Sequence, residues 1–253
     1  MSPSAYYKWK SGSSSQRFQE NKHIASLIEK IHIDSPDKGY RRIHDDLERF
    51  HNVHSNDKRI LRICRSLGIQ STVKFHPASC TRHARTPQHY SENILNREFH
   101  AEKPNEKWLT DVTEFKYYEG PRVKKVYLSA ILDLYDRRIV AFAIRDTNDN
   151  KLVFDTFAKA VQRNPDAHPI FHSDRGFQYT NRYFYQRLVN AGMTQSMSRV
   201  GRCIDNGPME GFWGILKRER YYGKRFTNRT ELVKMIRSYI HYYNTKRLQR
   251  NLG

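Results

Sequence analysis

The stretch KWLTDVTEFKYY, residues 107–118, is rich in β-branched and aromatic residues and carries an acid, Asp111, in its middle. This composition is typical of a β-strand. A second segment, KVYLSAILDLYDRRIVAFAIRD, predicts two more strands, at residues 126–134 and 139–144, with a turn between them. The three strands predict a sheet that begins with hairpins and contains a carboxylate within its first strand.

Helices and strands alternate after this point. Apolar residues at helical spacing occupy residues 152–161, and PIFHSD is a short apolar strand that ends at Asp174. A helix over residues 181–191, the brief strand MTQSMS and a final helix follow. The order β-β-β-α-β-α-β-α predicts an α/β fold in which helices flank a mixed sheet.

Positive charge is concentrated at the two ends of the chain. The net charge is +19 over 253 residues, divided as +7 in residues 1–103, +3 in residues 104–210 and +9 in residues 211–253. Basic arms around a nearly neutral centre are typical of proteins that bind polyanions such as nucleic acid.

The same sequence argues against secreted and membrane proteins. Its three cysteines, Cys64, Cys80 and Cys203, have no paired spacing, which fits a reducing compartment. No apolar run is long enough to span a bilayer, and the start has no signal-peptide pattern. We therefore expect a cytoplasmic protein that acts on nucleic acid and has no membrane partner.

Three short helices precede the sheet. The first has apolar residues from Ile24 to Ile31, the second follows Gly39, with a buried side predicted at Tyr40, Ile43, Leu47 and Phe50, and the third begins after Asn56 and stops at Gly68. Short helices with tight joints are typical of a helix-turn-helix unit, although small basic bundles also serve as protein-contact modules. The cations predicted on one face of the third helix, where DNA would bind, are Lys58, Arg62 and Arg65.

Residues 70–103 are polar and weakly periodic, and they predict a connector with a short amphipathic piece near Leu95. This stretch also contains a set of candidate zinc ligands: His76, Cys80, His83 and His89. Their spacing matches no familiar structural zinc pattern, so we interpret them as linker residues.

Three carboxylates are candidates for a single site. Asp111 lies in the first strand and Asp174 ends the fourth, so pairing of these strands would bring the two acids together. Taken alone, Asp111 is better explained as a strand-end acid bonded to backbone groups, and Asp174 could simply cap a turn, whereas we interpret Asp133 as a structural residue or one that supports the site. Converging carboxylates repel one another unless divalent cations neutralise them, and Mg²⁺ suits such oxygen ligands.

The third carboxylate lies in CIDNGPMEGFWGILKRE, residues 203–219. Pro208 fits the first turn of a helix, which places Glu210 in that turn and Lys217 seven residues later on the same face. As an alternative to a functional role, Glu210 interacts favourably with the helix dipole and Lys217 is a solvated surface charge.

The motifs WLTDVTEF, HSDRGFQY and DNGPMEGFWGILKRE resemble the three acidic motifs of DDE transposases of bacterial insertion sequences, of the orfB type with a retroviral-integrase-like core. Thirty-five residues separate Asp174 from Glu210, a spacing similar to that between the last two acids of this superfamily. The front segment with YRRI and the later segment YIHYYNTKRLQ are also similar to parts of these proteins.

The resemblance implies a ribonuclease-H-like core with a mixed five-stranded sheet. It implies that Asp111, Asp174 and Glu210 are catalytic and bind two Mg²⁺ ions, for which Mn²⁺ substitutes. Water would nick the ends of the element, and the freed 3′-hydroxyl would attack a second phosphodiester. The residues assigned to DNA binding are Lys217, Arg218, Arg41, Arg42, Lys58, Arg62 and Arg65. Those assigned to support the site or contact substrate are His172, Gln178 and Asn206.

The expected domains are a helix-turn-helix-like segment (1–69), a linker (70–103), the catalytic core (104–221) and a basic C-terminal segment (222–253). We expect this last segment to be truncated, since the resemblance implies a chain that usually continues past a segment such as RLQRNLG. The partners implied are double-stranded DNA at transposon ends and target, further copies of the chain, and an upstream orfA-type protein. The competing hypotheses are a metal-dependent nuclease of the same fold and a DNA-binding regulator or remnant that does not transpose.

Overall fold

A computed structural model describes residues 15–72, 88–200 and 202–249 of the chain. The chain divides into two compact units, Met1–Lys74 and Phe75–Gly253. Each unit has its own buried hydrophobic residues, so the helices of the first unit and the sheet of the second are described separately.

The N-terminal unit contains the three predicted helices: α1 (Gln16–Asp34), α2 (Tyr40–His51) and α3 (Asp57–Ser66). Ser15 and Asn56 cap α1 and α3, because each side-chain oxygen accepts a backbone N–H of the first turn. The buried hydrophobic residues of this unit are Ile24, Ile28, Ile31, Ile43, Leu47, Ile60, Ile63 and Cys64.

Phe50 differs from its prediction. The helical spacing placed it on the buried side of α2, but 62% of its surface is exposed. The helix ends at His51, and Asn52 adopts a left-handed conformation that turns the chain back. The N–H of Val53 then bonds to the carbonyl of Leu47, and Val53 packs against the helical core in place of Phe50.

The second unit is built on a five-stranded sheet, as the sequence predicts. Its strands are β1 (Lys107–Glu119), β2 (Arg122–Asp133), β3 (Ile139–Arg145), β4 (Ile170–Ser173) and β5 (Thr194–Met197), in the spatial order β3-β2-β1-β4-β5. β1 pairs antiparallel with β2, and β2 with β3, whereas β4 lies parallel to both β1 and β5. The sheet is therefore mixed.

Helices cover both faces of this sheet. On one face α4 (Asn150–Arg163) and α5 (Arg182–Asn190) pack over Trp108 and Phe171. On the other face α6 (Gly207–Leu216) and α7 (Arg229–Thr245) pack over Leu109, Phe115 and the even-numbered residues of β2. Side chains alternate along a strand, so odd-numbered residues of β1 point toward α6 and α7.

The predicted final helix is interrupted. A regular α-helix extends only to Leu216, and Lys217–Tyr221 widen into a π-helical turn. Glu219 in this turn is buried, and its carboxylate accepts the hydroxyl of Tyr239 at 2.8 Å and pairs with Arg247 at 3.0 Å. These contacts attach the turn to α7.

Residues outside the predicted core pack onto the sheet. Within the predicted linker, the backbone N–H groups of Ile94 and Leu95 donate to the Ser196 hydroxyl on β5, and Leu95 is enclosed in the core. The α7 residues Leu232 and Ile236, in the predicted C-terminal segment, are enclosed in the same core. The described parts of the predicted linker and of the predicted C-terminal segment therefore pack against the core.

Within the described ranges, no helix combines the length and apolar character needed to cross a membrane.

We expect Arg247→Ala to destabilise the second unit by about 3 kcal/mol, because it leaves the Glu219 carboxylate buried without its cation. Urea unfolding of the full chain measures the change. Arg237→Ala, which removes an exposed arginine on α7, is the matched control and should change the unfolding free energy by less than about 0.5 kcal/mol. Equal effects of the two substitutions would contradict a structural role for the Glu219–Arg247 pair.

Candidate active site

Strand register brings Asp111 and Asp174 together. β1 and β4 are parallel neighbours in which Leu109 lies opposite His172, and each aspartate follows two residues later. Both aspartates therefore lie on the face covered by α6, at the carboxyl end of β4. The predicted convergence of these strands is confirmed, and the negative charge of Asp174 contributes to raising the pKa of Asp111.

The Asp111 carboxyl group is held in a poorly solvated position. Burial, followed by the charge of Asp174, keeps its pKa well above the usual range, and Glu210 adds to this shift. The indole N–H of Trp213 on α6 donates to its Oδ2 at 3.0 Å. The residue nevertheless keeps some solvent-accessible surface.

Asp174 is oriented by the turn that follows it. Its Oδ1 accepts the N–H of Gly176 at 2.8 Å. A Cβ atom added to Gly176 would lie 3.0 Å from that same oxygen and 3.3 Å from Oε1 of Gln178. Glycine at position 176 therefore lets the backbone approach the carboxylate closely.

Glu210 lies in the first turn of α6, as predicted from Pro208. Its side chain is exposed, and its pKa is raised by partial burial and then by the charge of Asp174. The start of this helix is tied to β1, because Nδ2 of Asn206 donates to the carbonyl of Thr110 at 3.1 Å. Glu210 therefore stands at the solvent side of the two aspartates.

The three carboxylates are coupled electrostatically, because the charge of Asp174 contributes to raising the pKa of both Asp111 and Glu210. Within the described ranges, no three His, Cys, Asp or Glu side chains are close enough together to hold one metal ion. The donor chemistry nevertheless fits a divalent cation, because Asp111 and Glu210 both have raised pKa values due in part to Asp174. A cation among them would remove this repulsion, and carboxylate oxygens are preferred ligands of Mg²⁺.

Lys217 lies on the same side of the sheet, farther along β1. Its ammonium is 5.3 Å from the centre of the Phe115 ring. Phe115 is four residues beyond Asp111, which corresponds to about 13 Å along a strand. The neighbouring Arg218 folds back over Gly214, where an added Cβ atom would lie 3.0 Å from its Nη1.

The other predicted site residues have protein partners. His172 is fully buried, and its two ring nitrogens contact the hydroxyls of Ser196 and Ser198 at 2.9 and 3.1 Å. Burial lowers the His172 pKa to about 4, so the ring is neutral near pH 7. Gln178 is buried and donates to the side chain of Asn148. These two residues brace the loops around Asp174.

Asp133 lies away from the site. Its position near the end of β2 directs it to the sheet face opposite α6. Its carboxylate accepts the N–H groups of Asn105 and Tyr135 at 2.7 and 2.9 Å, so it closes the turns at that end of the sheet. Of the two roles that the sequence left open for Asp133, this placement favours the structural one.

Sequence reasoning missed two groups near the aspartates. Trp213 was assigned only to the Glu210 face of the helix, yet its N–H contacts Asp111. Tyr179 is buried, its hydroxyl lies 3.2 Å from Thr110 Oγ1, and its pKa is raised by burial and by both aspartates. Trp213 was detectable because it lies one helical turn after Glu210, but nothing in the sequence marks Tyr179.

Sequence reasoning also missed Asp205, which anchors the chain ahead of α6. The buried Asp205 carboxylate accepts hydrogen bonds from Arg97, Arg199 and Asn93. Hydrogen bonds from Arg199 hold its pKa well below the usual range. Asp205 thereby joins the loop before Glu210 to the segment around residue 95.

The predicted DNA-binding residues of the front helices belong to the N-terminal unit. Lys58, Arg62 and Arg65 are exposed along α3. Arg41 is exposed and lies 5.5 Å from the Tyr40 ring centre, and Arg42 pairs with Asp37 at 3.3 Å. The structure thus presents a basic face on α3.

Of the four candidate zinc ligands, His76, Cys80 and His83 lie outside the described residues. His89 stacks on the ring of Tyr185, and its Nε2 contacts the Ser91 hydroxyl at 3.0 Å. Both contacts are made within the protein, and Tyr185 belongs to α5.

Comparison with known protein families adds an independent finding. Residues 101–203 match the integrase core domain, and residues 210–253 match a second integrase core domain family. Residues 19–75 match an HTH-like domain. These matches fall on the sheet, on the helices that cover its acidic face and on the three-helix unit.

Individual proteins are similar over most of the chain. An uncharacterised transposase-like protein of Haemophilus influenzae is 42% identical over 204 residues, which cover 79% of this chain and 90% of the relative. The putative transposase InsK of insertion element IS150 from Escherichia coli is 34% identical over 248 residues, which cover 98% of this chain and 84% of the relative. Among solved structures, the magnesium complex of the HTLV-2 integrase catalytic core is 18% identical with a TM-score of 0.45, over 59% of this chain and 92% of that chain. The chain therefore belongs to the transposases of bacterial insertion sequences that carry an integrase core domain.

Proposed function

We propose that this transposase is a polynucleotidyl transferase that cleaves DNA at the ends of its insertion sequence and joins the freed ends to target DNA. Asp111, Asp174 and Glu210 are its catalytic residues. The observation that carries the proposal is the parallel register of β1 and β4, which directs both aspartates to the sheet face on which the Glu210 helix packs.

The three carboxylates are proposed to hold two Mg²⁺ ions, with Mn²⁺ as a substitute. When bound, such ions activate the attacking oxygen and stabilise the leaving oxygen in phosphoryl transfer. The support from this chain is electrostatic, because three acids that repel one another are stabilised as carboxylates by nearby cations.

The side chains around the carboxylates orient them. Trp213 holds one oxygen of Asp111, and the N–H of Gly176 holds one oxygen of Asp174. The other carboxylate oxygens are the proposed ligands. Glu210 is exposed in the first helical turn, so its side chain can rotate toward the aspartates without disturbing the core. Lys217 binds a phosphate of the adjoining DNA strand.

The reaction then takes place in two displacements on phosphorus. Water attacks the phosphodiester at the end of the element and releases a 3′-hydroxyl. That hydroxyl attacks a phosphodiester of the target, and the displaced 3′-oxygen leaves. The protein positions both partners and forms no covalent bond with DNA.

The remaining assignments concern partners. The basic face of α3, with Lys58, Arg62 and Arg65, is proposed to bind the terminal DNA together with Arg41 and Arg42. Copies of the chain assemble to bring two DNA ends together, and an upstream orfA-type protein assists in recognising them. Since the similar transposases come from bacteria, we place the protein in the bacterial cytoplasm, at the nucleoid.

A strand-transfer assay tests the proposal. The full chain is mixed with labelled DNA that carries the terminus of its element, an unlabelled target duplex and Mg²⁺. Labelled strands joined to the target are expected. Cleavage without joining would instead indicate a nuclease of the same fold, and DNA binding without either reaction would indicate a regulator or remnant.

Substitution of the acids gives a second prediction. Asp111→Asn, Asp174→Asn and Glu210→Gln should each lower cleavage by more than about a hundredfold, because each removes a charged ligand. DNA affinity, measured by fluorescence anisotropy, should stay nearly unchanged. Asp166→Asn, an exposed acid on the loop before β4, is the control and should keep full activity. Loss of binding in parallel with cleavage would contradict metal ligation.

Removal of the indole N–H gives a third prediction. Trp213→Phe should keep most of the aromatic packing but remove the hydrogen bond that orients the Asp111 carboxylate. This loss should weaken Mn²⁺ binding by about 10-fold in a calorimetric titration and raise the Mg²⁺ concentration needed for cleavage.

Trp108→Phe is the matched control for this substitution. Trp108 lies on the opposite face of β1, and its N–H donates to Asn105. It should cost stability without changing metal affinity. Unchanged metal affinity in Trp213→Phe would contradict the orienting role of Trp213.

A further inference from the structure

One edge of β1 has only a short strand partner. β4 pairs with β1 at residues 107–109, so the rest of that edge is covered by the chain that leads into and out of α6. Asn206 donates to the Thr110 carbonyl, and the N–H of Tyr118 donates to the carbonyl of Phe226. The Tyr221 hydroxyl accepts the N–H of Lys116 at 2.8 Å and donates to its carbonyl at 3.0 Å. Residues 206–226 therefore follow β1 from the candidate active site to the hairpin tip.

Four basic residues lie along this covered edge of β1. Lys217 lies over Phe115 on the face covered by α6, whereas Arg225 lies 4.7 Å from the ring centre of Tyr118, an even-numbered residue of β1 whose side chain points to the other face, so the cations flank the edge from both sides. Lys116 and Lys224 are exposed beside them. We call these four residues, Lys116, Lys217, Lys224 and Arg225, the basic edge. Packing of the two cations on rings limits their rotation, so less side-chain entropy is lost when they bind an anion.

The acids near the basic edge already have cationic partners. Glu219 is buried against Arg247, and the carboxylate of Glu114 pairs with Lys125 at 2.9 Å. Glu119 at the hairpin tip pairs with Lys124. The surface field along the edge is therefore positive, which suits a polyanion.

The spacing of the basic edge matches a DNA strand. Phe115 and Tyr118 are four and seven residues beyond Asp111, or about 13 and 23 Å along β1. Phosphates of one strand of a DNA duplex are about 3.4 Å apart along its axis. The cations over these rings thus correspond to phosphates about four and seven nucleotides from the carboxylates.

We infer that the basic edge binds the phosphate backbone of the DNA strand that leaves the active site, about four to seven nucleotides from the reacting phosphodiester. The inference rests on the proposed function for the position of the reaction, and it adds Lys116, Lys224 and Arg225 to the contacts of Lys217. Arg225 is the decisive residue, because it lies farthest from the carboxylates and takes no part in the chemistry.

The first experiment measures binding of the full chain to a labelled duplex of mixed sequence, by anisotropy, in EDTA and over a range of salt. Arg225→Ala should lower the slope of log affinity against log salt by about 0.9, which is about an eightfold loss of affinity at 0.1 M salt. Arg225→Lys should retain most of the slope, because a phosphate contact requires the charge.

Arg187→Ala is the matched control, because Arg187 is also exposed and lies 5.0 Å from the centre of an aromatic ring, that of Phe154, but its contact joins α5 to α4 and does not involve β1 or residues 206–226. It should leave the slope unchanged. An unchanged slope in Arg225→Ala, or equal losses in the two variants, would overturn the inference. Thermal unfolding of each variant shows that the fold is intact; if Arg225→Ala fails to fold, the Arg225→Glu variant replaces it.

The second experiment tests the position of the contact. A single uncharged methylphosphonate linkage is moved along DNA that carries the terminus of the element. Linkages about four to seven nucleotides from the reacting phosphodiester should weaken binding of the wild type but not of Arg225→Ala. Sensitivity only elsewhere would overturn the inference. Both experiments measure DNA binding without divalent ions, so their results can contradict the basic-edge inference without contradicting the proposed function. The proposed function is contradicted by a different result, namely strand joining by Asp174→Asn.

Discussion

Three residue pairs between β1 and β4 set the geometry on which the site depends. The pairing of Leu109 with His172 in parallel places Asp111 and Asp174 side by side, although 62 residues separate them in the sequence. A shift of one residue would send one aspartate to the opposite face of the sheet, where α4 and α5 pack. The buried Leu109 and Phe171, each enclosed by a different core, oppose such a shift.

A second constraint is the cover on the remaining edge of β1. An uncovered strand edge is prone to pair with other chains, and here residues 206–226 bond to it at three points. The same cover carries the groups that serve the site, since Glu210, Trp213 and Lys217 all lie within it. Protection of the edge and placement of the functional groups are thus achieved by one segment, and the π-helical turn buries Glu219 against α7.

Opposite charges are separated along β1. Asp111, whose pKa the charges of Asp174 and Glu210 help to raise, lies at one end of the covered edge, and cations stacked on aromatic rings lie toward the hairpin tip. This polarity suits a substrate that needs cations at its reacting phosphodiester and protein charges along its backbone.

Local patterns in the sequence determined the three front helices, the five strands, the start of α6 at Pro208 and the candidate acids, because periodicity, capping residues and strand composition act over a few residues. The structure alone decided which sheet face each acid occupies, that Val53 replaces Phe50 in the helical core, and that Trp213 bonds to Asp111. It also decided that residues 88–103 and α7 pack onto the sheet. These outcomes depend on contacts between residues far apart in the chain, which burial and register select only once the whole sheet has formed.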